Sequence, residues 1–321
     1  MYPTSGATIR ADLNIKVEEA SAADSFFIGD RVMPPMPVEA KSGTYPKLKL
    51  AEADLLADAV TTRERGGSYG KIVRKWDAET YDCVDRGLEE PVDDTDARDM
   101  ARFFDVESSA ARLTMRNVKT AAEVRVAAAI MSTGNFAATN SVVAYTEANI
   151  ATINFAMDVG AAIERVNDKG AVANTIVLSS TVLERLKRST LLQGYVRGSI
   201  IGQAQYPMTA ANIAAAFADS GITQVLVGRS RRNTAKKGAA YAAGSVWGTT
   251  YVWVGAVNAG ARTPMDGGAG FTLYWNAEGG LYVTETYRSE EHRSNMVRVR
   301  QNTTEKMTDA TAGTLITTQW A

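Results

Sequence analysis

FFIGDRVMPPMPVEAKSGTYPKLKL (26–50) and DAVTTRERGGSYGKIVRKWDAETYDC (58–83) read as a ribbon rather than as part of a compact domain. Pro34, Pro35 and Pro37 fix φ and remove three backbone donors within four residues. Such a stretch cannot pair as a central strand. It is nonetheless too apolar to stay free in water, through Phe26, Phe27, Ile28, Val32, Met33, Met36 and Val38. An extended, apolar segment with no core of its own needs a surface on another element or another chain. That requirement points to assembly more than to catalysis.

Working outward, residues 1–25 form a polar arm with a short helix expected near Lys16–Ala23. Residues 45–83 form a long hairpin, in which Tyr45–Leu50 and Ala59–Arg63 are extended and Lys71–Cys83 returns. Its tip is RERGGSYG, where Gly66, Gly67 and Gly70 permit positive φ. The next segment, DRGLEEPVDDTDARD (85–99), is acidic, and it precedes a run free of proline and glycine. Thr95 to Ser132 is therefore expected as one helix, about 57 Å long at 1.5 Å per residue. Asp93, Asp94 and Asp96 suit its start, and Gly134-Asn135 suits its end. Phe103, Val106, Ala110, Leu113, Ala121, Val124, Ala128 and Met131 are expected on its apolar face.

The remainder alternates helix and strand. Tyr145–Val166 reads as an amphipathic helix, Thr175–Leu178 as a buried strand, and Thr181 to Glu184 as a capping box opening another helix. Thr209 caps a helix that closes at Gly221. Strands are expected at Gln224–Val227, Val246–Val254 and Phe271–Trp275, and then in LYVTETY, NMVRVRQ and TLITTQ. Val297, Val299 and Gln301 alternate with Arg298 and Arg300, the pattern of a half-buried strand. The order places a middle α/β unit, near 140–280, between the long helix and the C-terminal strands.

Bulk properties narrow the function classes. The chain has 321 residues, with 35 basic and 36 acidic side chains and a net charge of −1. Such balance argues against a dedicated nucleic-acid binder and removes one barrier to self-association. Cys83 is the sole cysteine, so no intrachain disulfide exists and the composition fits a reducing cytoplasm. No apolar run reaches the length of a membrane span.

Three stretches carry a resemblance: the segment 26–45, the glycine-tipped hairpin with its acidic segment and helix, and YWNAEGGLYVTETYRSEEHRSNMVRVRQ (274–301). In them the chain resembles the major capsid proteins of tailed bacteriophages, whose shell fold is shared with encapsulins. The resemblance implies an α+β fold with an N-terminal arm (1–44) and an extended hairpin loop (45–84). It also implies a peripheral domain with a spine helix (85–140 and 282–321) and an inserted axial domain (141–281). It implies a virion shell of pentamers and hexamers, assembled in the host cytoplasm, that encloses double-stranded DNA without sequence-specific binding. A portal and a decoration protein are the partners it adds. Because the arm starts without a preceding helical scaffolding segment, a separate scaffolding protein is expected. An encapsulin-like compartment is the alternative within the same fold.

Chemistry-bearing residues are few. His292 is the only histidine, and it stands in a polar turn far in sequence from Cys83. A nucleophile–base pair has little to build on. Zinc lacks ligands, and no cofactor motif occurs. GGSYGK (66–71) misses the phosphate-loop spacing, and Ile72 stands where Ser or Thr is needed. The tip residues Arg63, Glu64, Arg65, Gly66, Gly67, Tyr69 and Lys71 suit contacts with a neighbouring subunit. Asp93 and Asp94 read as a helix start, with pairing to basic residues of another subunit as the alternative; the segment lacks the glycine and glutamate of a calcium loop. In RSRRNTAKK (229–237), Arg229, Arg231 and Arg232 suit a solvated loop or a subunit contact, with phosphate binding a third reading. The competing class is an α/β enzyme working through carboxylates, for which no local pair stands out.

Overall fold

The computed structural model describes residues 8–14, 26–47, 61–63, 65–69, 77–199, 208–236, 238–318 and 320. In chain order, the first part contains β1 (Thr8–Ile9), α1 (Gly29–Val32), β2 (Pro35–Val38), β3 (Ser42–Lys47), β4 (Asp77–Asp82) and β5 (Val84–Asp93). Then come α2 (Asp94–Met100), α3 (Val106–Ile130), β6 (Ala138–Asn140), α4 (Phe155–Asn167), β7 (Thr175–Ser179), α5 (Ser180–Leu186), α6 (Thr190–Ser199) and α7 (Ala210–Ala216). The chain closes with β8 (Gln224–Gly228), β9 (Arg231–Asn233), β10 (Ala243–Ser245), β11 (Tyr251–Gly255), β12 (Gly270–Trp275), β13 (Val283–Ser289), β14 (Ser294–Met307) and β15 (Gly313–Thr317). The helix expected at Lys16–Ala23 lies outside the described residues.

Two sheets organise the fold. In the six-stranded sheet β14 is the centre. Thr303 is paired with both Val84 of β5 and Tyr274 of β12, so these strands occupy opposite edges of β14. β13 follows β12 along the same edge and carries β1 outside it. β2 completes the far end, parallel to β12. Pro35 and Pro37 cannot donate to a ladder, and β2 has a neighbour on one side only, as their chemistry requires. The five-stranded sheet runs β6, β15, β11, β7, β8.

The membership of these sheets departs from the expected partition at three strands. β12 falls in the expected middle unit but lies in the six-stranded sheet, whereas β6 and β15 fall in the expected peripheral ranges but lie in the five-stranded one. The chain thus crosses between sheets after Met307. β15 is buried at Gly313–Ile316, and it completes the five-stranded sheet between β11 and β6.

The long helix is broken. α2 ends as the Phe103 and Phe104 amides bond the Met100 carbonyl, and Asp105 adopts an extended backbone as the cap of α3. The Ser108 hydroxyl donates to the Asp105 carboxylate. Asp-Val-Glu-Ser begins a second helix inside a glycine-free run, and the Asp105 side chain accepts no backbone amide there. α3 then spans about 37 Å at 1.5 Å per residue. Its buried face is Ala110, Ala111, Thr114, Met115, Val118, Glu123, Val126, Ala127 and Ile130. That face is rotated from the expected one, since Leu113 is exposed and so are Ala121 and Ala128. The N-terminal half packs on Val92, Val297 and Val299 of the six-stranded sheet. The C-terminal half packs into the core of the five-stranded sheet.

Elsewhere the elements shift by local capping. α4 begins at Phe155, ten residues later than expected, because the Asn154 side chain accepts from the Met157 amide at 3.2 Å. α5 is capped by Ser179, whose hydroxyl accepts from the Val182 amide at 3.3 Å, not by Thr181. α7 is capped by Thr209 as expected, and its extension closes at Gly221 with φ of +94°. The strand expected over Val246–Val254 begins only at Tyr251.

Candidate functional site

The hairpin has an anchored stem. β3 and β4 pair antiparallel from Ser42↔Asp82 to Lys47↔Asp77. Lys47 and Glu79 meet across the stem at 2.5 Å, and Lys306 of β14 lies 3.6 Å from the same carboxylate. Tyr45 is buried with Met36, Phe271 and Leu273, and its hydroxyl donates to the Met307 carbonyl at 3.4 Å. The described part of the tip is a small ordered turn. Arg63 Nε donates to the Gly67 carbonyl at 2.7 Å, and its guanidinium lies 5.1 Å from the Tyr69 ring. Gly66 has φ of +87°, a conformation that favours glycine. Tyr69 is 68% exposed, and Arg63, Arg65 and Gly67 are exposed with it. Glu64 and Lys71 lie outside the described residues.

The acidic helix start is committed within the chain. Asp93 caps α2 by accepting from the Thr95 amide at 2.7 Å, and this donor holds its carboxyl below the usual range. Asp94 takes both arms of Arg288, at 2.6 and 2.7 Å, which lowers its carboxyl too. The expected basic partner of Asp94 is thus present in the same chain.

The basic run folds as a short hairpin, β9 against β10, in place of a plain loop. Asn233 fixes its turn: its side-chain oxygen accepts from the amides of Ala235 at 3.0 Å and Ala242 at 3.1 Å. Arg229, Arg231, Arg232 and Lys236 are exposed, as is Tyr241. No ion pair among the described residues engages Arg229, Arg231 or Arg232.

The root of this hairpin leads to a group that the sequence reading did not single out. Glu123, on α3, is 3% exposed and accepts four hydrogen bonds. Its donors are the amides of Ile28 at 3.0 Å and Gly29 at 2.7 Å, Trp247 Nε1 at 2.7 Å and the Ser230 hydroxyl at 3.4 Å. One carboxylate therefore joins the start of α1, the spine helix and the root of the basic hairpin. Burial pushes the carboxyl above its ordinary value, against the pull of the donors. A Cβ at Gly29 would stand 2.6 Å from Glu123 Oε2, so a larger residue there would displace the carboxylate. The signal was present in the sequence: Glu123 stands among alanines and valines in AAEVRVAAA, on the side that proves to be buried.

Cys83 is buried, its thiol directed at the Leu273 carbonyl at 3.8 Å, and burial raises its pKa away from thiolate formation. His292 is exposed in the turn between β13 and β14. Among the described residues no group of His, Cys, Asp and Glu is arranged to hold a metal ion, and no helix is long and apolar enough to cross a membrane.

No protein-family model matches the chain, and no curated protein matches it. Solved structures do. A phage-related protein from Bordetella bronchiseptica RB50 aligns with a TM-score of 0.72 at 21% identity, over 97% of this chain and 98% of that one. The capsid of cyanophage P-SCSP1u aligns with a TM-score of 0.57 at 11% identity, over 90% and 86%. The SrpI encapsulin of Synechococcus elongatus PCC 7942 aligns with a TM-score of 0.50 at 13% identity, over 91% and 88%. The chain has the α+β fold of phage capsid proteins, which encapsulins share.

Proposed function

We propose that this chain is the major capsid protein of a tailed bacteriophage, a structural subunit that forms pentamers and hexamers closing into an icosahedral head around double-stranded DNA. The observation that carries the reading is the fold, matched along most of the length of a phage-related protein and of capsid proteins. The anchored hairpin supports it. Its stem is tied to the six-stranded sheet through Tyr45 and Glu79, while Arg63, Arg65 and Tyr69 face outward at the tip. In this reading the tip reaches a neighbouring subunit, and Arg229, Arg231 and Arg232 supply a second contact. Each contact is modest, but a closed lattice repeats it many times. Scaffold, portal and decoration proteins are the partners proposed with it, and the role is non-enzymatic.

Electron microscopy of the expressed protein, alone and with the products of neighbouring genes, tests the proposal. Shells, tubes or capsomers are expected; a monodisperse species near 34 kDa under all conditions would sink it. Deleting Gly66–Gly70 is expected to leave the subunit folded and to prevent closed shells. Normal shells from that deletion would remove the hairpin from the account. The likeness to an encapsulin favours a second reading, a compartment loaded with protein cargo. Nuclease-protected DNA inside purified particles decides for the phage head, and cargo protein without DNA decides for the compartment.

A further inference from the structure

The C-terminal half of α3 is apolar on two sides. In AAEVRVAAAIM (121–131) the only charged residues are Glu123, which is buried among its four donors, and Arg125, which donates to Glu305 at 2.9 Å. Val126, Ala127 and Ile130 enter the core of the five-stranded sheet. Ala121, Val124, Ala128 and Met131 form a second stripe at helical spacing, and the subunit leaves them exposed or half-buried. A helix that is apolar all round is one that becomes buried. Val124, Ala128 and Met131 line a groove of about 390 Å³ together with Trp247, Tyr251 and Arg232. Gln224 to Val246, which includes the basic hairpin, carries five basic residues and no acidic one. The occupant that fits is apolar and acidic.

The corner between α2 and α3 has that chemistry. α2 (Asp94–Met100) buries no residue. Helical spacing puts Asp96, Asp99 and Met100 on one face and Arg98 on the opposite one. Phe103 and Phe104 follow directly. Met100, Phe103 and Phe104 are 42%, 71% and 49% exposed, a contiguous apolar cluster and not scattered single residues. The corner cannot fill the groove of its own subunit, because α3 runs about 27 Å from Val106 to Val124. Another copy of the chain can supply it.

We propose that the α2–α3 corner of one subunit docks in the α3 groove of the next copy. Phe103 and Phe104 lie against Val124, Ala128 and Met131, and Asp96 and Asp99 face Arg231 and Arg232. The two surfaces differ, so the contact is heterologous, and its repetition closes a ring. The inference rests on the shell reading and deepens it, by naming what the basic hairpin meets in a neighbouring subunit.

Crosslinking of the full chain tests the contact. Phe103→Cys combined with Ala128→Cys, oxidised after assembly, is expected to give a ladder of covalent multimers on a denaturing gel. Each single variant should stay monomeric there, since the native Cys83 is buried. Assemblies without a ladder would overturn the contact and leave the shell reading standing. A ladder without closed shells would keep the contact and sink the shell. Dimers from Phe103→Cys alone would show that two corners meet each other, which also overturns the proposal. Charge exchange gives a second readout. Asp99→Lys and Arg232→Glu are each expected to raise the concentration needed for assembly about tenfold, and the double variant should recover part of it. Thermal midpoints of the unassembled subunit should not move, because both side chains are exposed. Losses that simply add in the double variant would overturn the pairing.

Discussion

The five-stranded and six-stranded sheets solve the burial problem in different ways. Every residue of β7, Thr175–Ser179, is buried, and β11 is buried over Val252–Gly255. β7 and β8 run parallel at the end of a sheet whose core also takes in α4, α5, α6 and α7. Such strands read as continuous apolar runs, as expected when both faces are covered. Over β13 and residues 297–300 of β14 the six-stranded sheet packs apolar side chains on one face only, whereas at β12 Phe271 and Leu273 are also buried, under Tyr45 of the hairpin stem. Val297, Val299 and Gln301 turn toward α3, while Arg298 and Arg300 lie on the other face with Glu285 and Glu89. The first sheet depends on close packing, and the second on packing on one side and a charged lattice on the other. α3 and its Glu123 tie the two together.

The comparison breaks most severely if the packed sheet tolerates a large hole. Trp253 is fully buried, lies 5.7 Å from the Phe136 ring in an edge contact, and leaves no room for a Cβ at Gly255 or Gly313. Trp253→Ala is expected to cost about 3–5 kcal/mol, read by chemical denaturation of the soluble subunit. A loss below 1 kcal/mol would mean that this core repacks freely. The junction comes next. Glu123→Leu strands the Ile28 and Gly29 amides and the Trp247 indole, and a cost of about 3 kcal/mol is expected. Glu123→Gln should recover part of it, since an amide oxygen still accepts. Equal losses for the two variants would show that packing, not hydrogen bonding, holds the junction.

The same contrast explains what could be read from the sequence. β7 and the alternation in NMVRVRQ were legible because burial on two faces and on one leaves different periodicities. The prolines of β2 exclude a central strand, though an edge strand over Pro35–Val38 was not expected. α3 was misjudged twice. Its face was rotated because alanine is apolar enough for either side, so Ala121 and Ala128 could not be told from Ala110 and Ala127. Its start was missed because the break at Asp105 involves neither glycine nor proline. Sheet membership was the least legible feature. Nothing in GTLIT shows that β15 pairs with β11, some sixty residues earlier in the chain, and not with the adjoining β14. Of the site, the stem hairpin and the charge of the basic run could be read locally, but not the β9–β10 hairpin that carries that charge. Glu123 could not be given a role, because its donors come from segments far apart in the chain.

The charged face of the six-stranded sheet should yield less than either. Glu285 is 6% exposed and accepts from Arg300 at 2.7 Å and from Arg298 at 3.5 Å. Glu285→Ala removes the shared acceptor, yet both arginines retain some contact with solvent. A cost of about 1.5 kcal/mol is expected. Double-mutant cycles with Arg298 and Arg300 would apportion it. A cost as large as that of Trp253→Ala would erase the distinction between the two sheets.

The smallest expected effect, and the most specific, is one of sign. Burial raises the Glu123 carboxyl above its ordinary 4.5, so the folded state holds that proton more tightly than the unfolded chain does. Its contribution is greatest below pH 4.5 and is lost as pH rises through the folded value. Asp94 behaves oppositely: Arg288 lowers its carboxyl below 3.8, so its contribution is present above that pH and is lost on acidification. Measured as midpoint differences, wild type minus Glu123→Gln should fall as pH rises from 4 to 7. Wild type minus Asp94→Asn should rise from pH 2 to 5. Parallel slopes would show that the Glu123 donors outweigh its desolvation, making the junction one more ion-favouring site and not a buried acid. Opposite slopes would separate the two carboxylates by environment alone, since both occupy helices and both are hydrogen-bonded.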